Sequence, residues 1–141
     1  MMLTRVDWSN DLKVGVPLLD AEHLGLVELF NDFIASALSD TDGLHLGTHF
    51  KDVVSAVRDH FASEENMLDR HNYPRFAAHK AHHHRLLAQA ETLQADWQSA
   101  APTMGGRDSL LARTIDYFTD RLLHHIREAD RPYRPFLMRL A

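Results

Sequence analysis

The chain has 141 residues, 45% hydrophobic and 25% charged, which suits one globular domain with a sizeable core and excludes a disordered or fibrous class. A net charge of −5 with scattered basic residues argues against nucleic acid as a partner, and the lack of cysteine removes disulfides, zinc–thiolate sites, iron–sulfur clusters and thiol catalysis. No apolar run fits a signal peptide or a bilayer span, so a cytoplasmic protein without membrane partners is expected; the one compositional excess is 11 histidines.

Residues 1–18, which include Gly15 and Pro17, read as an irregular arm, after which Asp20 can cap a first helix. That helix covers roughly 21–38 and carries His23, Val27, Phe30, Ile34 and Ala37 at alternating three- and four-residue steps. The turn-forming cluster Ser39-Asp40-Thr41-Asp42-Gly43 leads to a second helix over roughly 44–70, with Val53, Val57, His60, Glu64 and Met67 in the same rhythm. Arg70-His71-Asn72-Tyr73-Pro74 breaks the chain again, and Pro74 suits a first helical turn. The third helix, roughly 75–98, repeats the pattern with Phe76, His79, His83, Leu86, Ala90, Leu93 and Trp97. A longer break over 99–106 ends at Asp108 or Ser109 as N-cap of a fourth helix, roughly 109–129, carrying Leu111, Ile115, Phe118, Leu122 and His125. Long amphipathic helices joined by short turns predict an all-α protein. The architecture is an up-down-up-down antiparallel four-helix bundle, one domain over 1–141 with a short C-terminal tail.

The seams contain residues that a bundle core does not want. His23, His60, Glu64, His79, His83 and His125 occupy inward positions, where an unpartnered polar group costs several kcal/mol. Antiparallel topology brings them together. His23 is near the start of the first helix, His60 and Glu64 near the end of the second, His79 and His83 near the start of the third, and His125 near the end of the fourth. All of these places fall at one end of the bundle, so the residues converge and can satisfy a metal between them. Imidazole with carboxylate suits iron. A structural zinc site closes with four ligands and is overshot here, while calcium and magnesium prefer oxygen donors.

The other histidines divide differently. His45 and His49 form an i, i+4 pair, but at the start of the second helix, about 16 Å along the axis from His60. They belong to the far end and are expected to face solvent. His82 and His84 flank His83, and His124 flanks His125, each turned about 100° away on the surface or behind a ligand; His71 lies in a turn.

Several pieces of the chain together resemble the hemerythrin family, in particular its single-domain bacterial members, the bacteriohemerythrins. They are Trp8 with Asp20-Ala21-Glu22-His23, His60-Phe61-Ala62-Ser63-Glu64-Glu65-Asn66-Met67, Tyr73-Pro74 with His79-Lys80-Ala81-His82-His83, and His125-Ile126-Arg127-Glu128-Ala129-Asp130 with Tyr133. The resemblance spans about residues 6 to 133. It implies a second carboxylate that spacing did not supply, Asp130, five residues after His125. On an unbroken α-helix Asp130 would point away from the seam, so the helix is expected to end or distort near Arg131-Pro132. By the same resemblance His79, His83 and His125 hold a six-coordinate iron, His23 and His60 a five-coordinate one, and Glu64 and Asp130 bridge them beside an oxo or hydroxo group. O2 then binds reversibly at the open position, in a protein expected to be monomeric.

One departure stands out. The family has an apolar residue four positions before the fifth histidine, and this chain has Arg121 there; Arg127 follows the same histidine by two. Either the guanidiniums reach solvent or acids such as Asp120 and Glu128, or they wet the pocket and speed irreversible oxidation. Phe61 and Leu122 keep the pocket's apolar character. Two function classes remain open: an O2-binding protein for carriage, storage or sensing, and a di-iron redox enzyme acting on peroxide or nitric oxide.

Overall fold

The computed structural model describes residues 13–39, 43–99, 104–130, 133 and 135–136, without the side chains of 43–45, 104–107 and 129. Trp8, most of the expected arm, the turn residues Asp40, Thr41 and Asp42, the 100–103 stretch, Arg131, Pro132 and most of the expected tail lie outside the described residues. Three helices run α1 (Pro17–Leu38), α2 (Gly43–Arg70) and α3 (Phe76–Ser99), and a fourth, α4, opens as Met104–Asp116. Among the described residues there is no strand, and the chain is the expected all-α four-helix bundle.

Two helix starts differ from expectation. α1 begins at Pro17, whose fixed φ is preorganised for a first helical position, and its N-cap Val16 is extended and makes no side-chain cap. Asp20 therefore lies inside the first turn and does not cap it. Its carboxylate instead accepts from the backbone N–H of Val14 at 2.7 Å and of Gly15 at 3.3 Å, tying the incoming chain to the helix. Gly15 has φ 86, a left-handed value that lets the chain fold back and bury Val14. Similarly, α4 starts at Met104, so Asp108 and Ser109 sit within it and cap nothing.

The end of α2 fixes the direction of α3. Asn72 adopts φ 57, and the N–H of Tyr73 reaches Leu68 O at 3.0 Å while that of Asn72 reaches Asp69 O at 3.1 Å. This is a Schellman closure with asparagine in the left-handed position, and its accompanying apolar contact is Tyr73 against Leu68. Pro74 stands in the turn just before α3, whose first N–H groups bond back to Tyr73 and Arg75.

The inward series pack as the spacing predicts. Phe30 of α1 stacks on Phe118 with centroids 3.9 Å apart, and Phe33 meets Phe50 of α2 and Trp97 of α3 edge-on at 5.0 and 5.1 Å. The buried Trp97 indole donates to Thr114 Oγ1 at 2.9 Å, and that hydroxyl donates to Leu110 O at 2.8 Å, so neither polar group is orphaned. A second, smaller apolar group gathers Val14, Leu19, Leu68, Tyr73 and Tyr133 at the other side of a polar layer. The chain crosses that layer along α1, along α2 and at the end of the fourth helix: Leu19 then His23 then Leu26, Phe61 then Glu64 then Leu68, and Ile126 then Asp130 then Tyr133.

Candidate metal centre

The polar layer is the candidate site. His23, His60, Glu64, His79, His83, His125 and Asp130 are all buried, with Glu64 at 0% and Asp130 at 1% exposure. Their donor atoms form two groups that share both carboxylates. Glu64, His79, His83, His125 and Asp130 offer atoms within 4.8 Å of one another, and so do His23, His60, Glu64 and Asp130.

Asp130 reaches this layer through the backbone. After Asp116 the fourth helix widens into a π-helical stretch, Tyr117–Leu122, returns to α over Leu123–His125, and widens again over Ile126–Asp130. An α-helix at about 3.6 residues per turn would put Asp130 about 140° away from His125. The i→i+5 hydrogen bonding of a π turn brings it back over His125, and such turns are frequent at functional sites. The helix distorts as expected, but ahead of Arg131 and Pro132 and without ending before Asp130.

Each carboxylate presents one oxygen to each group. Glu64 Oε1 stands 2.6 Å from His79 Nε2 and 3.0 Å from His83 Nε2, and Oε2 stands 3.5 Å from His23 Nε2 and 3.3 Å from His60 Nε2. Asp130 Oδ1 lies 2.9 Å from both His79 Nε2 and His125 Nε2, while Oδ2 lies 3.3 Å from His23 Nε2. Neighbouring ligands on a metal with bonds of about 2.1 Å lie about 3 Å apart, so these separations suit donors arranged around two shared points. Hydrogen bonding accounts for the contact of Glu64 Oε1 with His79 Nε2 but not for the rest. Both ring nitrogens of His23, Nε2 of His60, His83 and His125, and both oxygens of Asp130 are buried with no hydrogen-bond partner. Orphaned lone pairs converging in this way fit a pair of metal ions, and little else would repay their desolvation.

Electrostatics agree. Burial alone would raise the Glu64 carboxyl, but the imidazoles of His23, His60, His79 and His83 that face it hold it well below the ordinary carboxylate value. Burial and the charge of Glu64 push Asp130 up, and His125 and His23 bring it down below its usual range. Burial lowers the imidazoles of His23 and His79, yet the nearby carboxylates of Asp130 and Glu64 lift both to about 9. Two buried anions thus hold positive charge in the cage, and metal can replace the protons.

A ring of outer contacts orients the imidazoles. Glu22 Oε1 accepts from His60 Nδ1 at 2.6 Å and is itself held by Ser63 Oγ at 3.0 Å; Glu65 Oε2 accepts from His83 Nδ1 at 2.7 Å. His125 Nδ1 meets His82 Nδ1 at 2.8 Å. Burial and neighbouring positive charge, from His125 first, press the His82 imidazole down to about 4, so it stays neutral. Phe61 stacks on His83 with centroids 3.9 Å apart and planes at 5°, filling the space beside the ligands with a benzene ring.

Spacing alone thus brought six of these seven residues together, and the resemblance added Asp130. Sequence reasoning assigned no role to Glu22 and Glu65, and it left His82 between surface and outer support. Their signal was adjacency: each is one residue from a seam ligand, where a carboxylate or imidazole can reach a neighbouring helix's ring. His84, His124 and His71 are exposed as expected. His49 lies at the far end as expected but is half-buried and does not simply face solvent, its ring 5.6 Å from Phe33. Arg121 and Arg127 are exposed, and Arg121 borders an outer cleft with Gln89, Thr92, Leu93, Arg113, Asp116 and Tyr117. Phe61, Leu122 and Ile126 are buried, and the exposed guanidiniums fit the solvent-facing alternative.

The sequence matches the Hemerythrin HHE cation binding domain over residues 14–137. It is 31% identical to myohemerythrin-1 of Phascolopsis gouldii over 128 residues, 90% of each chain. It is 26% identical to a bacteriohemerythrin of Stenotrophomonas maltophilia, covering 89% of this chain and 77% of that one, and 27% identical to a bacteriohemerythrin of Methylococcus capsulatus, covering 92% and 93%.

Proposed function

Since the chain belongs to the hemerythrin family, a non-heme di-iron, O2-binding protein, we propose that its seven buried donors hold the two irons in the 3:2 division set out above. His79, His83 and His125 would hold one iron and His23 and His60 the other, with Glu64 and Asp130 offering one oxygen to each. The observation that carries this reading is the sharing of both carboxylates between the two donor groups. When bound, the iron pair supplies the electrons and the open coordination position that reversible O2 binding needs.

The chain's own residues do the rest. Glu22 and Glu65 accept the Nδ1–H protons of His60 and His83, which leaves each Nε2 lone pair free for metal and fixes each ring's angle. Burial, with the charges of Glu64 and Asp130, raises the Tyr133 phenol well above its ordinary value. It therefore stays protonated and donates to Glu64 Oε2 at 3.0 Å. Phe61, Leu122 and Ile126 are buried and keep this part of the interior apolar, which favours reversible binding of a small apolar gas over protonation and loss of a reduced product.

The finer reading is a monomeric cytoplasmic protein for O2 carriage or storage, with residues 1–141 as one domain. No described helix is long and apolar enough to cross a membrane. The competing reading is a di-iron enzyme turning over peroxide or nitric oxide at the same position. Loading the reduced protein with O2 and then removing the gas separates the two. Return of the starting absorption spectrum at two irons per chain supports carriage, while irreversible oxidation with sustained peroxide consumption overturns it.

A further inference from the structure

The three outer contacts on ligand imidazoles are not alike. His60 and His83 each face a carboxylate, Glu22 and Glu65, whereas His125 faces another imidazole, His82, at 2.8 Å. Metal on His125 Nε2 requires its proton on Nδ1, so His125 donates and the lone pair of His82 Nδ1 accepts. The ring planes stand at 72° with centroids 4.4 Å apart. A neutral acceptor draws less on the shared proton than a carboxylate does. The imidazole it holds therefore gives less electron density to its metal.

We propose that His82 is a positioning residue for the metal centre: it fixes the ring of His125 and, as a neutral acceptor, makes that ligand the weakest donor of the three held this way. The inference rests on the di-iron reading and adds to it a determinant of the balance between reduced and oxidised iron. His82 is only partly buried and borders a cleft of about 160 Å³ with Tyr73, Arg75, Arg85 and Glu128, so substitutions there meet little packing resistance.

The test compares iron content and midpoint potential in the parent, His82→Gln, His82→Glu and His82→Leu, all loaded with ferrous iron without oxygen. Glutamine keeps a neutral acceptor and should hold two irons near the parent potential. Glutamate supplies a carboxylate and should favour the oxidised state about tenfold, a negative shift of about 59 mV per electron. Leucine removes the acceptor and should weaken iron retention by about tenfold to a hundredfold. Two irons in every variant at an unmoved potential would overturn the assignment of His82 and leave the di-iron reading intact. A parent that takes up fewer than two irons overturns both.

Discussion

Tyr133 and Glu64, 69 residues apart in the chain, meet in a buried hydrogen bond of 3.0 Å. The phenol donates to Oε2, the oxygen that also faces His23 and His60, so one atom serves both the second donor group and the anchoring of the chain beyond α4. Glu64 is thus connected to four histidines and a tyrosine.

Replacing that residue should be felt throughout the layer. Glu64→Ala is expected to lower iron content well below two per chain and to loosen the end of the bundle, because buried imidazoles lose the metal that satisfied them. Iron analysis with thermal unfolding checks this, and a variant that keeps two irons would remove Glu64 from the bridging role.

The far end of α2 supplies the control. His45→Ala and His49→Ala should leave iron content unchanged, since His49 lies eleven residues before His60, about 16 Å along the helix. Loss of iron in either variant would mean that these positions contribute to the centre.

Arg121 makes a third case. With its side chain exposed on the outer face, Arg121→Leu should leave the irreversible oxidation rate of the O2-loaded protein within error of the parent. The parent and the variant would be followed by absorption after one exposure to air. A several-fold slower decay would show that the guanidinium reaches the ligand pocket and wets it.

Acid–base linkage predicts different pH profiles with and without metal. In the metal-free protein the lowered carboxyls of Glu64 and Asp130 contribute stability that is complete above their ordinary values of 4.5 and 3.8 and lost as pH falls through the depressed ones. The raised imidazoles of His23 and His79 contribute stability that is complete below 6.5 and lost as pH rises to about 9. The metal-free form should therefore be most stable from about pH 4.5 to 6.5 and weaken from there to pH 9. The iron-loaded form, whose metals replace those protons, should not show the alkaline loss. Urea midpoints across this range check both curves, and identical alkaline slopes would contradict the exchange of protons for metal.

Much of this was legible in the residues because periodicity and topology are independent constraints. The three–four rhythm set each seam, and antiparallel order then put His23, His60, Glu64, His79, His83 and His125 at one end. Asp130 was not legible from spacing, since its inward position depends on a π turn that no α-helical period contains. Glu22, Glu65 and His82 lie one residue off the seams, where a surface residue and a supporting group look the same. The start of α1 was misjudged at Asp20 because an acidic residue in a first turn looks like a cap. There it binds the N–H groups of Val14 and Gly15, upstream of the helix.

The polar layer also divides the interior into two unequal apolar bodies. The smaller, built from Val14, Leu19, Leu68, Tyr73 and Tyr133, buries too little surface by itself to offset the conformational entropy of the segments it orders. Its amides should exchange with solvent far faster than those of the trunk whenever the centre is stripped, and at the trunk's rate when it is filled. The stripped bundle is therefore expected to melt in two steps and the filled one in a single step, with the polar layer as the joint between them.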